Sequence, residues 1–182
     1  MCVRNEDRYR IPFKGLKEGE HTFDFDIDRS FFENFSKSEI REGDLHVRIV
    51  LQKSLRLLTL DFIIDGTVRL PCDRCLDEFD MPVSFKETLY IKFGDKRYEE
   101  SANILVISED DSSLDVSQYL YEYTHLALPI RRVHPDDENG HPTCNPVMIK
   151  KLEQLSSDTG KKEDMETDQR WSVLRNFIKN TN

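Results

Sequence analysis

Between residues 45 and 93 apolar side chains return at every second position, and the stretch that most sharply interrupts them is Leu70-Pro71-Cys72-Asp73-Arg74-Cys75. Ahead of it Leu58, Leu60, Phe62 and Ile64 alternate with Thr59, Asp61, Ile63 and Asp65. Behind it Phe79, Met81, Val83 and Phe85, then Leu89, Ile91 and Phe93, keep the same period. Leu45, Val47, Ile49 and Leu51 repeat the pattern earlier, as do Phe23, Phe25 and Ile27. A period of two marks strands with one face buried. The connections at Lys53-Ser54 and at the cysteines are too short for a crossover helix, so neighbouring strands run antiparallel. The sequence therefore predicts an α+β fold: an antiparallel β-meander forming a curled sheet or partly open barrel, with helices after the sheet and a C-terminal tail helix.

The remaining segments fit around that sheet. Asp28 or Ser30 is placed to cap a short helical turn whose Phe31, Phe32 and Phe35 plug the core. Asp95 to Ser101 reads as a polar loop, and Ile104 to Ile107 as a short buried strand. Asp115 with Gln118 resembles a capping box for a helix bearing Val116, Tyr119, Leu120, Tyr123 and Leu126, which stops before Pro129. Its tyrosines, Tyr119, Tyr121 and Tyr123, suit either core packing or stacking on RNA, and the apolar spacing of Tyr119 and Tyr123 favours the core. Asn145-Pro146 starts a further helix with Val147, Leu152 and Leu155. Residues 1–155 are expected to form one domain, 156–167 a flexible polar linker, and the segment from Asp168, with Trp171, Leu174, Phe177 and Ile178 on one face, a tail helix.

Cysteine usage and charge narrow the function. Four cysteines in 182 residues are too few for a disulfide scaffold and are expected to be thiols or metal ligands. A Cys-x-x-Cys in a turn between strands lacks the helix N-terminus that activates redox pairs, and looks like half of a zinc knuckle. His141-Pro-Thr-Cys144 offers a second pair at the same spacing, which makes Cys72, Cys75, His141 and Cys144 the candidate zinc ligands, with His134 as the substitute fourth. A net charge of −9 excludes coating of nucleic acid by bulk charge. Arg69 and Arg74 beside the cysteine turn, with Arg131 and Arg132 beside the histidine loop, are the RNA-binding candidates, should the two loops meet. No phosphate-cradling glycine loop and no Gly-x-Ser-x-Gly or His-Glu-x-x-His motif is present, so no enzyme and no small-molecule substrate is expected. No run nears the roughly 18 apolar residues of a membrane span, and the start holds no apolar leader, so a cytoplasmic protein without a membrane partner is expected.

The long β-region, the run Cys72-Asp-Arg-Cys75-Leu-Asp-Glu-Phe79 and the later Leu126-Ala-Leu-Pro129 together resemble the YceD family of bacterial proteins, as do His134 and Cys144. The resemblance spans roughly residues 10–155, and Asp168-Gln-Arg-Trp171-Ser-Val-Leu174 is similar to the ending of some branches. Branches with a second cysteine pair differ from this chain, which has Cys144 alone there. The resemblance implies a role in accumulation of large-subunit ribosomal RNA, through its synthesis, processing or stability, with no defined catalytic activity. Partners are then a large-subunit rRNA precursor or a basic large-subunit ribosomal protein held by the acidic surface. Alternatives are a zinc-knuckle protein–protein adaptor unrelated to ribosomes and, more remotely, a thiol oxidoreductase using Cys72 and Cys75.

Overall fold

The structure is a computed structural model that describes residues 8–155; the linker and tail helix expected beyond Leu155 lie outside them. Two compact units divide the chain at Cys144 and Asn145. In order, the first holds β1 (Arg10–Pro12), β2 (Gly19–Ile27), α1 (Arg29–Phe32), β3 (Glu42–Lys53), β4 (Leu57–Pro71), β5 (Glu78–Gly94), β6 (Tyr98–Ser101), β7 (Ile104–Ser108), β8 (Ser113–Asp115) and α2 (Ser117–Leu126). The second begins with α3 (Pro146–Leu155), capped by the Asn145 side chain, which accepts from the Val147 N–H at 3.0 Å.

β2 to β5 form the expected meander, and the alternation is what aligns them. Leu45, Val47, Ile49 and Leu51 of β3 and Leu58, Leu60, Phe62 and Ile64 of β4 are all buried. Ladder pairing brings Val47 to Ile64, Ile49 to Phe62 and Leu51 to Leu60, so one face is a continuous apolar layer. Each such side chain contributes roughly 1.5–3 kcal/mol by leaving water. Phe31 and Phe32 of α1 and Tyr119, Leu120 and Tyr123 of α2 join this core, and the small β1–β8 ribbon adds Ile11 and Leu114.

The sheet stays open. Its order is β2-β3-β4-β5-β7-β6, with β2 and β6 as edges, so it does not close into a barrel. The meander also ends at β5: β7 pairs parallel with β5, and β6 lies outside it, antiparallel to β7. Ile104-Leu105-Val106-Ile107 is an unbroken apolar run because β7 is covered on both faces. The stretch read as a polar loop thus contains an edge strand, β6, whose four residues are all exposed and carry no alternation.

Capping differs at one helix. Asp28 caps α1 as expected, accepting from the Ser30 N–H at 2.9 Å. Asp115, however, is held in the β1–β8 ladder opposite Arg10, one residue too far out for a capping box on α2. Its carboxylate accepts from the Ser117 N–H at 2.9 Å, while Gln118 donates to Glu122 at 2.7 Å. The tyrosines of α2 are engaged internally: Tyr119 and Tyr123 are buried, and Tyr121 stacks on Phe35 with centroids 4.0 Å apart. None of the three rings is available for stacking on RNA.

Candidate metal centre and its basic edge

The connection from β4 to β5 is a tight knuckle. Cys72 N–H donates to the Asp77 carbonyl and Leu76 N–H to the Cys72 carbonyl, both at 2.9 Å, and Arg74 N–H donates to Cys72 Sγ at 3.4 Å. Closing the chain this sharply puts Leu76 in the left-handed region, at φ 65°. A glycine adopts that conformation freely; a leucine there costs about 1 kcal/mol or more. The turn leaves both thiols buried and pointing to one side.

A second arm supplies the other groups. Asp136 and Pro142 form a β-bridge, closed by a turn in which Asp137 N–H donates to the His141 carbonyl at 2.8 Å. Two residues further out in the same antiparallel alignment, His134 faces Cys144, and Thr143 Oγ1 donates to the Pro135 carbonyl between them at 2.6 Å. The arm is zipped to the knuckle by a pair of 2.7 Å hydrogen bonds, Asp73 N–H to the Arg132 carbonyl and Arg132 N–H to Asp73 Oδ2.

These arms bring Cys72, Cys75, His134 and Cys144 together, with ligand atoms all within 4.8 Å of one another. Cys72 Sγ to Cys144 Sγ is 3.8 Å, Cys75 Sγ to His134 Nδ1 is 3.5 Å and Cys144 Sγ to His134 Nδ1 is 3.8 Å. Zinc bound tetrahedrally, to sulfur at about 2.3 Å and nitrogen at about 2.05 Å, spaces its ligand atoms roughly 3.5–3.8 Å apart. The residues fit that geometry. The imidazole is held in place by the Phe79 ring, whose centroid lies 4.6 Å away.

Cys72 and Cys144 are shifted in opposite directions. Burial pushes the Cys72 thiol up, but the backbone N–H groups of Cys75 and Arg74, with further hydrogen bonds from His134, outweigh it and bring it down to about 6. Burial pushes the Cys144 thiol up, and neighbouring Cys72 adds to the effect. A Cys72 thiolate is thus favoured beside a Cys144 thiol that keeps its proton, and a divalent cation held here would favour the ionised form of both.

His141, expected from its spacing to Cys144, is not in the cluster. The turn at Asp137 rotates it outward, where its side chain is 75% exposed and lies 3.4 Å from Asp137 Oδ2. His134 takes the place beside the thiols because the bridge, not sequence spacing, decides which histidine faces Cys144.

The arginines separate into two kinds. Arg69 is paired with Glu78 at 3.2 Å and Asp80 at 3.8 Å, and Arg132 with Glu39 at 2.9 Å. Arg74 and Arg131 have no ion pair among the described residues and stand on the two arms that Asp73 and Arg132 join. Two neighbours went unnoticed in the sequence: Leu76, 69% exposed, and Ile130, fully exposed. The signal for Leu76 was a bulky residue directly after the second cysteine of a knuckle, where the backbone calls for glycine.

The chain is thus an α+β protein with an open sheet whose Cys-x-x-Cys knuckle gathers a third cysteine and a histidine. Residues 60–178, well over half of the chain and including both arms, match the family described as large ribosomal RNA subunit accumulation protein YceD, and the chain belongs to that family. No curated protein and no solved structure matches it. No helix among the described residues is long and apolar enough to cross a membrane.

Proposed function

We propose that this protein supports accumulation of large-subunit ribosomal RNA in the cytoplasm as a binding factor, without a catalytic step of its own, by contacting an rRNA precursor at the edge where its two clasped arms meet. The family description supplies the process. The observation that supports the contact is the pairing of Arg74 and Arg131 on joined arms, both lacking a counter-charge among the described residues, on a chain that is acidic elsewhere. Cations left unpaired on an acidic protein are suited to a few phosphates rather than to general coating.

A basic large-subunit ribosomal protein is the second reading, favoured by the polar face of the sheet. There Asp26, Asp44, Asp61 and Asp65 are exposed, and Arg48 is already paired with Asp24 at 2.8 Å. Sucrose-gradient fractionation separates the two readings. Arg74→Gln with Arg131→Gln is expected to shift the protein from large-subunit precursors to the free fractions at moderate salt, whereas Asp61→Asn with Asp65→Asn leaves it bound. The reverse result assigns the contact to the sheet face and to protein.

We also propose that Cys72, Cys75, His134 and Cys144 hold one zinc ion. With all four positions taken by side chains, zinc would supply a structural cross-link and leave no open position for substrate. His134→Ala is expected to reduce bound zinc at least tenfold after dialysis, measured by elemental analysis, while His141→Ala retains it. Retention by the first variant, or loss by the second, would sink this ligand set.

A further inference from the structure

We infer that the knuckle tip and the neighbouring loop form a contact for unpaired RNA nucleotides, in which Leu76 and Ile130 lie against base faces while Arg74 and Arg131 hold the adjoining phosphates. The inference rests on the RNA reading proposed above and adds to it a place, a mode and a preference for single strands.

Each arm contributes one aliphatic side chain and one unpaired cation: Leu76 with Arg74 on the knuckle, and Ile130 with Arg131 on the histidine arm. Leu76 is 69% exposed and Ile130 fully exposed, although hydrogen bonds anchor the two arms to each other. Asp73 and Arg132 tie the arms by two hydrogen bonds, and both arms contribute to the cysteine–histidine cluster, so the aliphatic groups are displayed on a fixed base.

Leu76 breaks a local rule. Its backbone sits at φ 65°, where glycine is free of strain and leucine is not, and its side chain gains little burial in return. Local rules broken without a compensating contact point to function. The partner chemistry follows from the company the leucine keeps. The outside of an RNA duplex presents phosphates and hydroxyls and offers an aliphatic group nothing to cover. Unstacked bases in loops and single strands offer apolar faces beside phosphates, which is the pairing of surfaces found here.

The test uses the zinc-loaded full chain and two fluorescent probes, a 12-nucleotide RNA of mixed sequence and the same RNA in a duplex, with binding read by anisotropy between 50 and 200 mM salt. The expected result is a preference for the single strand, with affinity falling about sevenfold over that range if two phosphates are engaged. Leu76→Gly should weaken single-strand binding about fivefold or more while leaving the melting temperature equal or higher, because it relieves the strained backbone. Ile130→Ser, at a fully exposed position, should weaken binding similarly with no change in stability.

If Arg74→Gln and Arg131→Gln weaken binding but Leu76→Gly and Ile130→Ser do not, the base contact is overturned and the phosphate reading stands. Equal binding of the duplex likewise overturns the base contact. If neither probe binds while a purified fraction of basic ribosomal proteins does, the partner is protein and both RNA readings fall.

Discussion

Cys72→Ser is expected to abolish the zinc binding proposed for the cluster and to lower the melting temperature by roughly 6–12 °C, which corresponds to about 3 kcal/mol for a domain of this size. Cys72 is fully buried, its sulfur lies 3.8 Å from that of Cys144, and it accepts the Arg74 N–H. Serine is shorter, harder and far less acidic, so it is a poor zinc ligand, and the loss exposes the cross-link's contribution to folding. The sheet has its own core in Phe62, Ile64, Val47 and their neighbours, so strand content by circular dichroism should survive. A buried thiol without metal would also suffer on replacement, and chelation separates the cases. A ligand that binds the folded chain alone stabilises it by mass action. A strong chelator should therefore bring the unsubstituted protein down to the melting temperature of Cys72→Ser and leave the variant unmoved. If chelator has no effect on the unsubstituted protein, the cluster is not a zinc site.

The largest effect on the fold itself is expected at Gly66. It lies within β4 at φ +149°, directly opposite Leu45 in the β3–β4 ladder. A Cβ at this position would sit 2.2 Å from the Asp44 carbonyl oxygen and 2.9 Å from Leu45 Cα, and both obstacles are backbone. No rotamer change relieves such an overlap; the two strands must separate where Leu45 is buried. Gly66→Ala should therefore cost more than about 4 kcal/mol, the range reserved for strain and core disruption. In urea titration its midpoint should collapse or the chain should fail to fold. Gly15→Ala is the matched control, since a Cβ there meets nothing within 4 Å. A normal midpoint for Gly66→Ala would mean that β3 and β4 do not approach as closely as described. The glycine lets the backbones of β3 and β4 approach closely at this point.

The site's organisation explains why its members have different tolerances. The cluster's own groups are three buried cysteines and a half-buried histidine: Cys72 and Cys75 in the turn after β4, and His134 and Cys144 across the Asp136–Pro142 bridge. Groups proposed to touch RNA stand outside and are held by two hydrogen bonds between the arms. Loss of the cluster should therefore abolish RNA contact indirectly, while substitution of Arg131 or Ile130 should leave zinc and stability alone. This asymmetry allows the roles to be separated in one set of variants.

The sequence by itself determined the strands β2 to β5, the buried face of each, the knuckle between β4 and β5, and the starts of α1 and α3. These are local properties: a side chain alternates across its own strand, and a cap bonds to a residue two or three positions away. Only the tertiary structure decided the rest. β7 inserts between β5 and β6, parallel to the first and antiparallel to the second, and β6 became an edge strand without any periodic signal. His134, and not His141, faces Cys144 because the Asp136–Pro142 bridge and its turn fix the local register. Arg69 is paired with Glu78 and Asp80, and Arg132 with Glu39, 93 residues from it, leaving Arg74 and Arg131 without an ion pair among the described residues. In each case the deciding contact is a pairing between segments, some a turn apart and one 93 residues away, and neither spacing nor composition encodes which segments will meet.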